Sequence, residues 1–266
     1  MSDTAEKGRR LVIRVGRASM AFSTIGEGSN VVYEPYSFNS GISQAANLRE
    51  ALRTVPLLEG RYHSVLVMVD APVLMVPVEE FDEAEKDALY HHAYTGLQHQ
   101  TVVSSVLPDL HCVALFAVNS DLRTVVADHW DKVRYMPCVA PVWHHLHQRS
   151  YTGPRSKLFV YLHDQQMEVF AFGQNRFRFS NTFSVTIADD ALYYILAVWR
   201  QLGMEPERDE LYMVGQMPTD GNLQAKALEF VKRVYVINPV GEFNRAAVAQ
   251  IKGVPYDIVT LYIKGI

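Results

Sequence analysis

The chain has 266 residues, with 25 Lys and Arg against 29 Asp and Glu and a net charge of −4. Its hydrophobic fraction of 48% and charged fraction of 20% are those of an ordinary globular protein, and a chain of this length buries roughly three quarters of its unfolded surface without disulfides or a structural metal. Mild acidity disfavours generic nucleic-acid or membrane-surface binding, no apolar run approaches the ~18–20 residues that cross a bilayer, and the polar N-terminus carries no signal-peptide core.

Residues 1–8 are polar and expected to be disordered. Residues 10–16 and 19–25 alternate apolar and polar side chains around a tight turn at Gly16-Arg17. The run Gly26-Glu27-Gly28-Ser29-Asn30 makes a second turn, and residues 31–38 read as a third strand, completing a meander. Ile42, Ala45, Leu48, Leu52 and Val55 then fall at helical spacing, with Pro56 just beyond. Residues 63–70 form a continuous apolar run, as expected of a strand covered on both faces. A short extended piece follows at 73–76, and Asp82 opens a helix to about Tyr94, with acidic residues in its first turn. Residues 101–107 and 110–118 read as a hairpin broken at Pro108-Asp109. Asn119 or Ser120 caps a helix to about Lys132, before a short strand at 133–136 and a helix at 139–149.

Residues 151–156, with Gly153-Pro154 at their centre, read as a linker. After it the pattern restarts: strands at 157–163, 167–172 and 176–185, the last with Phe177, Phe179 and Phe183 on one face, then a strong helix at 187–202 ended by Gly203. A buried strand at 211–214, a helix at 222–234, a strand at 235–238 and a helix at 242–251 follow. The apolar, alternating stretch 258–266 reads as a final strand. Two α/β units of like order are expected, residues 9–152 and 153–266, each a mixed sheet flanked by helices.

Three antiparallel strands followed by alternating helices and strands, duplicated, is similar to the actin-like ATPase superfamily, in which two ribonuclease-H-like domains flank a nucleotide site. The stretch from Tyr193 to Met204, with Asp209-Glu210-Leu211-Tyr212-Met213-Val214-Gly215, resembles domain-of-unknown-function family 3822, an uncharacterised bacterial family. Val69-Asp70-Ala71-Pro72 and Val76-Pro77-Val78-Glu79-Glu80-Phe81 resemble that family's first-half signature. The resemblance implies the fold more than any reaction, because one fold hosts many functions.

It also implies where nucleotide chemistry would sit. The first meander turn of the superfamily carries an acid that orients magnesium, then a glycine whose backbone approaches phosphate. Here Gly16 matches the glycine, but Arg14 stands in the place of the acid, and neither Arg14 nor Arg17 can ligate a cation. In the second half Tyr161 replaces the acid and His163 the glycine; Asp164 supplies an acid only by sliding the register. The Gly-Gly that contacts adenosine is reduced to Gly215, better read as a strand-to-loop turn. Catalytic residues are therefore expected to be absent, and the seven residues Arg14, Gly16, Arg17, Tyr161, His163, Asp164 and Gly215 are the remnants of a nucleotide cleft.

Other constellations favour ordinary structural roles. His144 and His147 lie at i, i+3 and His91-His92 are adjacent, yet no zinc-ligand spacing accompanies either pair. Asp70 ends a buried strand and is expected to cap the turn before Pro72. Arg176 and Arg178 interleave with phenylalanines, as in single-strand binding platforms, but strand alternation alone produces that pattern. Cys112 and Cys138 are expected to be buried thiols, and Tyr193, Tyr194 and Trp199 core or interface residues. The sequence thus implies a cytoplasmic, non-catalytic binding or scaffold protein with a degenerate actin-like fold, a protein partner, no metal and no nucleic acid. The alternative is an ATP–magnesium-binding protein, or a weak ATPase or phosphotransferase, of the same superfamily.

Overall fold

A computed structural model of the chain describes residues 9–26, 30–96, 98–174 and 176–265. The expected disorder at residues 1–8, turn residues 27–29, Asn175 and the terminal Ile266 lie outside the described residues. The chain divides into two compact units, one running to Cys138 and the other starting at Val139. The linker expected at 151–156 falls after the first helix of the second unit.

In the first unit, β1 (Arg10–Val15), β2 (Ser19–Ile25) and β3 (Val31–Ser37) form the antiparallel meander, and β4 (Ser64–Val69) and β8 (Val133–Pro137) join it in parallel. The sheet order is β3-β2-β1-β4-β8. Leu11, Ile13 and Val15 of β1 and Val65, Val67 and Val69 of β4 point to one face. There they pack on Ala45, Leu48 and Ala51 of α1 (Gln44–Thr54) and on Leu122, Val125 and Val126 of α3 (Ser120–His129). Each helix is started by a side-chain cap: Ser43 accepts from the Ala46 N–H at 3.2 Å, and Asn119 from the Leu122 N–H at 2.9 Å.

Between β4 and α3 the chain builds a second sheet that the sequence pattern resolved only as a hairpin. β5 (Val73–Pro77), β6 (Gln100–Leu107) and β7 (Cys112–Asn119) form an antiparallel sheet of order β5-β7-β6. Its core of Val76, Val102, Val113 and Leu115 includes the fully buried Tyr90 of α2 (Lys86–Ala93), whose hydroxyl donates to the Pro72 carbonyl at 2.7 Å. The helix expected from Asp82 begins as a 3-10 turn capped by Asp82 and becomes α-helical at Lys86.

The second unit repeats the plan. β9 (Lys157–His163), β10 (Gln166–Gly173) and β11 (Arg176–Ser184) are the meander, and β12 (Glu210–Gly215) and β13 (Val234–Val236) complete the order β11-β10-β9-β12-β13. Every residue of β9 is buried, because both faces are covered. Leu158, Val160 and Leu162 meet α5 (Ala188–Gln201) and α6 (Leu223–Leu228). The alternate residues of β9 lie on the other face, where β9 and β10 meet α4 (Ala140–Ser150); there Trp143 packs edge-on to Phe170.

Four expectations are corrected here. The described part of 258–266 is not a strand: α8 (Tyr256–Lys264) occupies residues 258–264, and its six residues from Tyr256 to Leu261 are all buried. Its run from Ile258 to Ile263 is mostly apolar and short, and a short apolar run does not separate a buried helix from a strand. The helix expected at 242–251 is instead one short turn, α7 (Pro239–Glu242), and a separate 3-10 turn at Ala247–Gln250. α6 likewise ends at Leu228 rather than reaching residue 234. Finally, Phe177 does not share a face with Phe179 and Phe183. A bulge opposite Ala171/Phe172 shifts the register, so Phe177 packs on Trp143 and Phe172 while Phe179 and Phe183 pack on the α5 side.

Candidate functional site

The first meander turn follows from β1's alternation. Since Leu11, Ile13 and Val15 face α1 and α3, Arg14 lies on the opposite face, in register with Ala21 and Met68 and only 3% exposed. Gly16 leaves the strand, and its N–H closes the turn on the Ser19 carbonyl at 2.9 Å. Arg17 is exposed at the turn's tip. Asp70 follows β4, with its N–H donating to the Val15 carbonyl at 2.9 Å. The turn therefore keeps one glycine and presents cationic side chains to either side of it.

The corresponding turn of the second unit is built differently. Asp164 and Gln165 both have positive φ, 46° and 59°, the geometry of a two-residue primed hairpin turn usually filled by glycine or asparagine. Tyr161, 1% exposed, donates from its hydroxyl to Asp257 Oδ2 of α8 at 3.0 Å. Its ring stacks on His163 with centroids 4.5 Å apart. His163 is 4% exposed, with Nδ1 3.6 Å from Asp164 and Nε2 3.9 Å from Glu168. Gly215 completes this neighbourhood at the end of β12. It has φ +102°, and a Cβ there would lie 2.0 Å from the Leu162 carbonyl oxygen and 3.1 Å from the Tyr161 ring. The next N–H, of Gln216, donates to that same carbonyl at 2.7 Å. Gly215 is thus required by close strand approach. Tyr161, His163, Asp164 and Gly215 come together, with Tyr161 and His163 buried, Asp164 half-buried and Gly215 exposed.

The residues weighed for other chemistry have mostly structural partners. His147 is buried, with its Nε2 3.0 Å from the Tyr151 hydroxyl and its ring against Phe172; His144 is only half-buried. His91 and His92 are exposed at the end of α2. Arg178 donates to the Leu202 carbonyl at the end of α5, where a cation also complements the helix dipole. Cys112 and Cys138 are buried and form no disulfide, and burial pushes the Cys112 thiol up to about 12. Trp199 is buried in the core and Tyr194 stacks on Phe183, but Tyr193, expected in a core or interface, is 69% exposed because it lies on the outer face of α5.

One cluster has no counterpart in the sequence reading. Glu242 receives the Tyr256 hydroxyl at 2.9 Å and lies 3.0 Å from His145 Nε2, while Arg149 donates to it from above. Burial opposes ionisation of Glu242, but hydrogen bonding and charge from His145, then Tyr256 and Arg149, bring its pKa down to about 2. The Tyr256 phenol is pushed up by burial and by the Glu242 charge. Arg149 also lies over the Tyr212 ring, 5.4 Å from its centroid, and burial and Glu210 push the Tyr212 phenol up to about 12. These residues come from α4, β12, α7 and α8. No short motif joins them, so only the fold reveals them.

This duplicated β-meander order defines the class: the chain has the actin-like ATPase fold, two tandem ribonuclease-H-like domains with mixed five-stranded sheets. The model of the family described as "Protein of unknown function (DUF3822)" matches residues 2–234, and the chain belongs to that family. It is similar to a Bacteroides thetaiotaomicron VPI-5482 protein of actin-like ATPase fold and unknown function. That likeness has 22% identity over 95% of this chain and 99% of the other, with TM-score 0.84. It is also similar, at 11% identity over 96% and 98% of the chains and TM-score 0.55, to a chain of the PilM–PilN type IV pilus biogenesis complex. No curated protein sequence matches the chain. No helix among the described residues is long and apolar enough to cross a membrane.

Proposed function

We propose that this chain is a non-catalytic binding or scaffold protein of the cytoplasm that uses an actin-like fold to hold a protein partner. The observation that carries the reading is the second meander turn. Where the superfamily resemblance calls for an acid and a glycine, this chain has Tyr161, tied to the buried Asp257, and the stacked His163. Phosphoryl transfer depends on positioned magnesium and phosphate donors, and a buried phenol at the acid's position supplies neither. Arg14 at the matching position of the first unit adds positive charge where a magnesium-orienting carboxylate is needed. A partner protein fits the company of the fold, since one similar structure is the PilM–PilN complex.

The retained Gly16 and the exposed Arg17 favour a second reading, nucleotide binding without efficient turnover. Purified full chain with ATP and magnesium separates the two. The first reading expects no phosphate release above the no-protein rate and no thermal shift; the second expects a shift without release. ATP turnover abolished by Gly16→Val would overturn both in favour of an enzyme.

A further inference from the structure

A row of stacked rings crosses the sheet of the second unit. Phe170 of β10, Phe159 of β9, Tyr212 of β12 and Tyr235 of β13 are successive cross-strand partners. Their centroids are spaced 5.6, 5.6 and 4.9 Å apart, with interplanar angles of 19°, 26° and 25°. Aromatic pairs set across strands in this way stabilise a sheet. The row starts in the core, where Phe170 and Phe159 are fully buried, and runs out at the sheet edge, where Tyr235 is 42% exposed. β13 is the end strand, and no described strand lies on its outer side. Among the described residues, Tyr235 stacks on no ring but Tyr212.

A pocket of about 540 Å³ opens beside this last ring, a size that takes a small ligand or a large side chain. The space is present in the structure as it stands, so an occupant needs no element to move. Tyr212, Tyr235 and Val236 supply the apolar wall, and Arg149 of α4, Asn238 and Glu242 the polar one.

The polar wall carries no net charge, and what it leaves unused is donors. Arg149 donates to Glu242, so the two charges offset each other. Glu242 also receives the Tyr256 hydroxyl and meets His145, which takes up most of its acceptor capacity. A guanidinium has five N–H groups, and among the described residues the Arg149 side chain makes one hydrogen bond, to Glu242. Asn238 accepts from the Val240 N–H at 3.1 Å through Oδ1, and its amide NH2 donates to no described residue. A charged occupant would give up hydration against a wall that is already neutral. A neutral ring with an acceptor at its tip matches both walls. The rim is apolar, since Val236 and Val240 are exposed, and β13 itself carries neither the charge nor the proline that guards many edges. A free small ring would leave that rim in water, whereas a side chain on a polypeptide brings flanking residues to cover it.

We infer that this pocket receives a tyrosine side chain of a partner protein. Its ring lies against Tyr235 as the fifth of the row, and its hydroxyl accepts from Arg149 or Asn238. Phenylalanine would leave those donors unmet, and the indole N–H of tryptophan only donates. Tyrosines seated in pockets are among the residues that dominate protein interfaces. The inference rests on the proposed binding role but names its site and the chemistry of its occupant.

Selection of a display library of ten-residue peptides on the full chain tests it. The selected peptides should share one tyrosine flanked by apolar residues. Changing that tyrosine to alanine should weaken binding at least tenfold, and changing it to phenylalanine about threefold. On the chain, Tyr235→Leu keeps an apolar side chain against Tyr212 but removes the ring, and Val240→Asp charges the rim. Each should weaken binding at least tenfold without lowering Tm. In backbone NMR spectra a selected peptide should shift the Val236 and Gly241 amides most. An empty selection, peptides without a common tyrosine, binding untouched by both variants, or shifts confined to another surface would each overturn the pocket assignment. Self-association of the chain that Tyr235→Leu abolishes would overturn it in favour of a second copy. Mg-ATP turnover, measured separately, bears on the proposed non-catalytic role and leaves the pocket untouched.

Discussion

In the first unit β1 turns into β2 through Gly16, with the buried Arg14 two residues before it; in the second, β9 turns into β10 through Asp164 and Gln165, both at positive φ, with Tyr161 locked to Asp257. The strand order is the same in both. The difference lies in what each unit adds. The first inserts a separate three-stranded sheet. The second leaves its turn residues Asp164 and Gln165 half-buried and exposed, but ends β9 in a buried, stacked Tyr161–His163 pair. Topology is maintained by the apolar faces of the strands, and the turn residues are free to diverge because the sheet does not depend on them. A ribonuclease-H-like plan therefore stands twice in one chain although the two meander turns carry different residues.

Substitutions in the second unit sharpen that contrast. The largest effect is expected from Gly215→Val. Its Cβ would overlap the Leu162 carbonyl at 2.0 Å and its φ would be strained, so a loss of about 4 kcal/mol or more is expected in urea unfolding. A loss under about 1 kcal/mol would show that β12 can move away from β9. Glu242→Gln comes next. It leaves Arg149 and His145 without their half-buried carboxylate partner, and losing hydrogen bonds to a charged group costs about 2 kcal/mol.

The same residue gives a pH signature. Glu242 has a folded pKa of about 2, below its unfolded value of about 4.3. Its stabilisation is therefore present above pH about 4.3 and is lost as pH falls toward 2. Thermal melts across that range should show an acid-side slope that Glu242→Gln flattens. An unchanged slope would mean that other carboxylates govern acid unfolding.

The cluster around Glu242 shows why part of the site was invisible in the sequence. His145 and Glu242 are 97 positions apart, and Glu242 lies in a single helical turn where the pattern suggested the start of a long helix. Tyr161 was legible as a departure from the superfamily's acid, but its partner Asp257 lies in the first turn of α8, and the residues after it, from 258 on, suggested a strand. The meanders, the buried strands β4 and β12 and the duplicated order were legible, because period-two alternation and continuous apolar runs report directly on one-sided and two-sided burial. The bulge that turns Phe177 away from Phe179 leaves no mark in an alternating sequence, since its cause is the register with β10.

Smaller effects probe the turn itself. Tyr161→Phe removes the bond to Asp257 and should cost about 1–2 kcal/mol, measured by chemical unfolding; no change would mean that the phenol is held by packing alone. Gln165→Gly relieves a side chain at φ 59° and creates the Asp-Gly pair that primed turns favour, so a gain of about 1 kcal/mol is expected. It also restores a glycine to the turn. If this variant acquired nucleotide binding, the missing glycine rather than Tyr161 would be the barrier.

On the proposed reading, the duplicated actin-like fold persists here without nucleotide chemistry. A thermal-shift titration of the full chain with millimolar ATP, ADP and GTP in magnesium tests it most directly. Superimposable melts with and without nucleotide are expected. A ligand at 100-fold its Kd would stabilise the protein by about 2.7 kcal/mol, and a saturating shift of that size would contradict the account.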